Sequence, residues 1–257
     1  MARQRERQPE WLTAANPDVL TAIVWPNRVW LYQAAPPPLP AALRRRLRLY
    51  GCGCARMVWR VLPTDAISAV VLSERFAEGR ATHSSLRAAA VRMVTNPLSY
   101  QQQATNAAGW ASYGDLAHPA DQDPLLWDPT EAARCAAKAL AIRAAGKAPP
   151  GRPTTPEWET AWNDAFAAAR AHQAELLRDI FPPPGYAPRV EPDWLTSTVV
   201  ALAQQMDATG DFGAVPILAD ALQDAGCEDA VMLDRCRAIS GIHSRGNWVV
   251  DLVLGRA

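Results

Sequence analysis

The feature that most constrains this chain is an apolar stripe in its first third. Leu43, Leu47, Tyr50, Cys54, Val58 and Val61 follow one another at spacings of four, three, four, four and three. That is the period of one face of an α-helix, so a helix is expected over residues 41–61. Proline bounds it on both sides. Ala34-Ala35-Pro36-Pro37-Pro38-Leu39-Pro40 cannot continue a helix, and Pro63 ends the one that follows.

The same alternation of stripe and breaker recurs downstream. Thr64 is placed to cap a helix carrying Ile67, Val70 and Val71 inward and stopping at Gly79, and Thr82 to cap a third over residues 84–94, closed before Pro97. Residues 99–128 read as a loop or weak helix. Asp128-Pro129-Thr130-Glu131 combines a capping aspartate, a first-turn proline and a glutamate three residues after the cap, and should open a helix to about residue 145. Thr155-Pro156-Glu157 opens another, with Trp158, Trp162, Phe166, Leu176 and Leu177 available to bury, until Phe181-Pro182-Pro183-Pro184-Gly185 stops it. Asp193 is expected to cap a helix whose stripe is Leu195, Val199, Leu202 and Met206. Residues 216–225 and a short helix through Val231, Leu233 and Cys236 follow. The terminal run 248–254 is apolar nearly all round and should be buried.

The fold class expected is therefore all-α, an irregular multi-helix bundle built as two packed helical subdomains. Residues 1–40 read as an irregular N-terminal segment and 41–146 as a helical subdomain with a variable middle. Residues 147–154 read as a linker, and 155–257 as a C-terminal helical subdomain.

Charge narrows the function classes. Lys+Arg and Asp+Glu are 26 each, which argues against a whole-protein electrostatic grip on nucleic acid. A local basic face is present: Arg44, Arg45, Arg46, Arg48, Arg56 and Arg60 fall within 41–61 with no acid among them. It reads as a phosphate or acidic-partner contact, or as a solvated face whose arginine stems cover apolar surface, with Asp65, Glu74 and Glu78 to neutralise it. No stretch approaches the roughly 18–20 apolar residues of a membrane span, and the first ten residues lack the apolar core of a secretory signal. The expectation is a cytoplasmic protein. Five cysteines, an odd number, suit free thiols better than a disulfide framework. Dinucleotide-binding, P-loop, nucleophile-elbow and zinc-protease motifs are all missing from the sequence.

Two blocks carry more specificity than periodicity does. One is Leu47-Arg48-Leu49-Tyr50-Gly51-Cys52-Gly53-Cys54-Ala55-Arg56-Met57-Val58-Trp59 with Ser73-Glu74-Arg75-Phe76-Ala77-Glu78-Gly79. The other runs from Leu177-Arg178-Asp179-Ile180-Phe181 through Pro216-Ile217-Leu218-Ala219-Asp220-Ala221-Leu222 to His243-Ser244-Arg245-Gly246-Asn247-Trp248-Val249-Val250-Asp251-Leu252-Val253-Leu254-Gly255. Together they resemble a large paralogous family of uncharacterised proteins from planctomycete bacteria. That family pairs a cysteine-containing N-terminal helix with this C-terminal block around an Ala- and Trp-rich middle. The resemblance implies ancestry and a helical fold and brings no activity with it. The family tends to carry cysteine where this chain has Ala55 and Asn247, which weakens any shared metal site.

Two places could hold chemistry. Cys52 and Cys54 with Cys227, Cys236 and His243 offer the thiolate and imidazole donors that zinc prefers. Against this, residues two apart on a helix point about 200° from one another, so the first pair needs a break at Gly51 or Gly53. Buried cysteine otherwise packs as a small hydrophobe. The loop of residues 241–248 gathers His243, Arg245 and Trp248. With Asp220, Asp234 or Asp251 it could bind an anion or do acid–base work; alternatively, His243 and Arg245 tie the loop to helix ends while Trp248 anchors the core. No catalytic signature stands out, and no cofactor is required, with zinc the alternative. The function expected is a non-catalytic protein-interaction or scaffold module with another protein as partner; the alternative is a metal- or anion-binding protein or an enzyme.

Overall fold

In the computed structural model, the described residues are 8–26, 39–91, 100–113, 129–148, 153–238 and 241–256. Among them are twelve α-helices, two short 3-10 turns and no strand, so the chain is all-α. The helices are α1 (Gln8–Thr13), α2 (Pro17–Val24), α3 (Ala41–Arg56), α4 (Thr64–Ala77), α5 (His83–Val91) and α6 (Tyr100–Tyr113). Then come α7 (Pro129–Ala145), α8 (Pro156–Ile180), α9 (Ser197–Thr209), α10 (Val215–Asp224), α11 (Ala230–Cys236) and α12 (Trp248–Val253). The breaker at 36–38, the capping Asp128, Pro97 and the centre of the 147–154 linker lie outside the described residues.

The chain divides into two compact units, Ala15–Ala174 and Met1–Ala14 with Glu175–Ala257. The division falls inside α8 rather than at 147–154, because the helix capped by Thr155, whose Oγ accepts from the Trp158 N–H, runs unbroken to Ile180. Within the N-terminal segment expected to be irregular, residues 8–13 and 17–24 are helical. Asn16 caps α2 through the Asp18 N–H, with Pro17 at the first helical position.

In the larger unit α3 packs against α4, α6 and α7. Every residue from Leu47 to Ala55 is buried, so this helix is covered on all sides and the stripe is only part of its contact surface. Gly51 and Gly53 are buried in its interior, although each costs about 1 kcal/mol relative to alanine in a helix. The neighbours are equally small. Ala104, Ala107, Ala108 and Ala111 of α6 and Ala132, Ala133, Ala136 and Ala137 of α7 are all buried.

The arginines of α3 turn onto α4. Arg45 pairs with Glu78 at 2.8 Å, and Arg56 makes a two-pronged pair with Glu74 at 2.5 and 2.7 Å while stacking on Trp59. Arg48 is buried, reaching Ser73 and lying over the Phe76 ring. Ser73 in turn donates to the Ala111 carbonyl at 2.6 Å, joining α4 to α6. The basic face is thus largely an internal fastening.

The smaller unit is packed by large side chains: Val199, Met206, Leu218, Leu222, Met232, Trp248 and Val249 form one core. Each contributes roughly 1.5–3 kcal/mol by leaving water. One expected boundary is corrected here. Asp193 does not cap α9; residues 192–194 form a 3-10 turn, and Thr196 takes the cap by accepting from the Val199 N–H. Leu195 consequently stands outside the helix and is exposed. At the far end Gly210 adopts φ 74°, the left-handed conformation that glycine enters without steric cost, and closes the helix through Met206.

The alanine seam gives a direct test. Ala108 is fully buried, so replacing it by Leu adds volume to a closed core and should lower stability by about 1–3 kcal/mol, read as a shift in the urea midpoint.

Candidate functional site

The loop of residues 241–248 is organised by a carboxylate that sequence reasoning did not assign. Asp179, on the last turn of α8, is fully buried. Its Oδ1 accepts from His243 Nδ1 at 2.8 Å and Asn247 Nδ2 at 2.6 Å; its Oδ2 accepts from the Ser244 backbone N–H at 2.9 Å and lies 3.4 Å from Ser244 Oγ. Arg235 Nε stands 3.8 Å away. Three residues of one loop therefore converge on one side chain, with Arg235 behind it. Because an ionised carboxylate can only accept, Nδ1 of His243 is the ring nitrogen that donates to it.

Nε2 of His243 is buried and meets no hydrogen-bond partner, and the side chain as a whole is 2% exposed. Ser244 Oγ contacts the carboxylate, so loop and imidazole do not form a hydroxyl relay. Asn247 also serves the next helix, since its Oδ1 accepts from the Val249 and Val250 N–H groups and caps α12. Trp248 follows in the core, its ring edge-to-face with Tyr186 at 5.7 Å, and Asp251 is buried on the first turn of α12.

Arg245 is spoken for as well. It donates to Asp207 Oδ1 at 2.5 Å and to the Asp207 carbonyl at 2.7 Å, in the last turn of α9. Arg256 grips the same carboxylate at 2.9 and 2.8 Å. Two of the acids expected near the loop are not its partners: Asp220 pairs with Arg237 at 2.5 Å on the surface, and Asp234 is exposed on α11. The partners of His243 and Arg245 are Asp179 and Asp207 instead. A signal for Asp179 does exist in the sequence. It sits between Leu176, Leu177 and Ile180, in the buried turn of an otherwise polar helix.

The expected zinc donors are divided between the two units. Cys52 and Cys54 belong to the larger unit, whereas Cys227, Cys236 and His243 belong to the smaller one. The α3 helix continues unbroken through Gly51 and Gly53, so the first pair diverges as helical geometry requires. Among the described residues no three His, Cys, Asp or Glu side chains come together as a metal group. All five thiols are free and buried. Burial pushes Cys52, Cys54 and Cys236 up to about 12 and Cys135 up to about 11, and it raises Cys227 too. The thiolate, which is the ligand and the nucleophile, is thereby suppressed. Tyr50 lies beside Cys54 in the same apolar environment, and its phenol is raised by the same cause.

Comparison with protein-family models, with curated proteins and with solved structures returns no match.

Two outcomes test this site. Asp179→Ala removes the acceptor from several buried donors and should cost about 3–5 kcal/mol in chemical denaturation. Asp220→Ala, which breaks a solvent-exposed pair, should cost about 0.5 kcal/mol or less. The thiols should be silent to a disulfide reagent in native protein at pH 8 and give five equivalents in guanidinium. Their raised values also set a sign. The folded chain keeps thiol protons that the unfolded chain releases above about pH 9. That contribution to stability is whole below pH 9 and is lost as pH rises towards 12, so the melting temperature should fall through this window.

Proposed function

We propose that this chain is a non-catalytic helical interaction module whose partner is another protein. The observation that carries the reading is where the polar groups of the 241–248 loop end. His243, Ser244 and Asn247 terminate on Asp179, and Arg245 on Asp207, so the residues best suited to chemistry act as struts holding a short helix and its cap. Outward, α10 shows a contrasting pattern. Val215, Leu218, Ala219 and Leu222 are buried, while Ile217 is 57% exposed on the same helix. The inner face is saturated, and an isoleucine that packing does not use is left at the surface. The two sequence blocks further support descent from the planctomycete family; an anion-binding or enzymatic role for His243 and Arg245, or a zinc role for the cysteines, has no geometric support among the described residues. No helix among them is long and apolar enough to cross a membrane.

Photo-crosslinking from position 217 in the host cell tests the reading, followed by reconstitution of the captured protein with purified chain. A direct complex is expected, weakened at least tenfold by Ile217→Asp and unchanged in a folded His243→Gln variant. Capture of nothing from positions 217 and 195, or a turnover that disappears in folded His243→Gln, would overturn it.

A further inference from the structure

The α10–α11 hairpin carries a cavity of about 480 Å³ whose floor is Cys227, Ala230 and Leu233. Cys227 and Leu233 are buried members of the core, and Ala230 beside them is exposed. Along α11 the positions 230, 233, 234 and 237 share one helical face. Asp234 and Arg237 therefore rise beside the apolar floor, and Glu228 stands at its mouth.

The charges around this cavity are not balanced. Arg237 lines the cavity too and is already engaged at its wall, donating to Asp220 Oδ1 at 2.5 Å and to Gln223 Oε1, another lining residue, at 2.7 Å. Glu228 and Asp234 are both exposed and make no hydrogen bond or ion pair among the described residues. The wider field has the same sign. Residues 175–257 hold twelve acidic side chains against six arginines and no lysine. Arg178, Arg235, Arg237, Arg245 and Arg256 are already committed to carboxylates or carbonyls within this unit.

We propose that this groove receives an arginine side chain from the protein partner. An arginine matches it at both ends. The aliphatic stem lies on Ala230 and Leu233, and the guanidinium reaches the two free carboxylates at the rim, where its forked donors are satisfied. An acidic or neutral side chain would leave both carboxylates without a counter-charge, and the negative field would repel an acidic segment. The inference rests on the reading of the chain as an interaction module and names the chemistry of its partner.

The probe is an array of twelve-residue peptides of varied context with arginine fixed at the centre, compared with the same contexts carrying glutamine or glutamate there. Full-length chain is applied, and the strongest peptides are titrated by fluorescence anisotropy. Arginine contexts should bind in preference to the others. The double variant Glu228→Gln, Asp234→Asn should raise their Kd at least tenfold and keep the wild-type melting temperature, since both side chains are exposed. Added salt should weaken wild-type binding more steeply than that of the variant. Equal binding of glutamine contexts, or a Kd unmoved in the double variant, overturns the proposal. So does concentration-dependent self-association lost in the double variant, because the occupant would then be a second copy. If a reconstituted partner complex is weakened by Ile217→Asp but not by the double variant, the interaction reading stands and the groove assignment falls. If the crosslinking also captures nothing, both fall.

Discussion

A single buried carboxylate determines the shape of the smaller unit's C-terminal end. Asp179 has acceptor capacity for several donors at once, and the loop supplies an imidazole, a backbone N–H and a side-chain amide from residues 243, 244 and 247. Without it, these groups would be buried with nothing to bond, each at a desolvation cost of about 1–3 kcal/mol. Asn247 links this polar cluster to α12, since one end of its amide serves Asp179 while the other caps the helix that carries Trp248 into the core. The path from a charged group on α8 to the buried tryptophan is a chain of three residues.

Arg178 applies the same logic to α1. Its guanidinium donates to the carbonyls of Trp11 and Ala14, which a six-residue helix cannot satisfy from within. Asp207 does so for the C-terminal end of α9, where two arginines meet one carboxylate. Charged residues in this unit act chiefly as terminators of short helices. Their abundance reflects how many helix ends a chain with 22 prolines must finish.

Much of the fold was legible because its helices are bounded by chemistry that acts locally. The stripe from Leu43 to Cys54, the Thr155-Pro156 opening and the apolar run at 248–254 appear where expected, although the first of these helices ends at Arg56 and not at 61, with a 3-10 turn over Trp59–Val61. The helix α6 was faint because alanine, glutamine and asparagine give little contrast between faces, although four of its alanines are fully buried. The α9 start was misplaced because Asp193 and Thr196 are both good caps, and only packing chooses between them. For the candidate site, the loop was legible and its partners were not. No periodicity rule connects Asp179 to residues 64–68 positions later, and an aspartate on a helix ordinarily reads as surface. The cysteines were legible in part: their odd number pointed to free thiols, and all five are free and buried.

The two units also differ in the direction in which mutation can harm them. In the smaller one, large side chains meet, and nearly every substitution of Leu218, Met232 or Trp248 removes atoms and leaves a hole. In the larger one, buried alanines line α6 and α7, and at those positions every residue type except glycine is bigger than what stands there. Errors accumulate as voids in one core and as wedges in the other. Voids can be partly closed by neighbours relaxing inward, but a wedge between helices at alanine distance has to move an entire helix. The alanine-lined unit is therefore the one whose sequence has the least freedom, despite being built from the least distinctive residue in the chain.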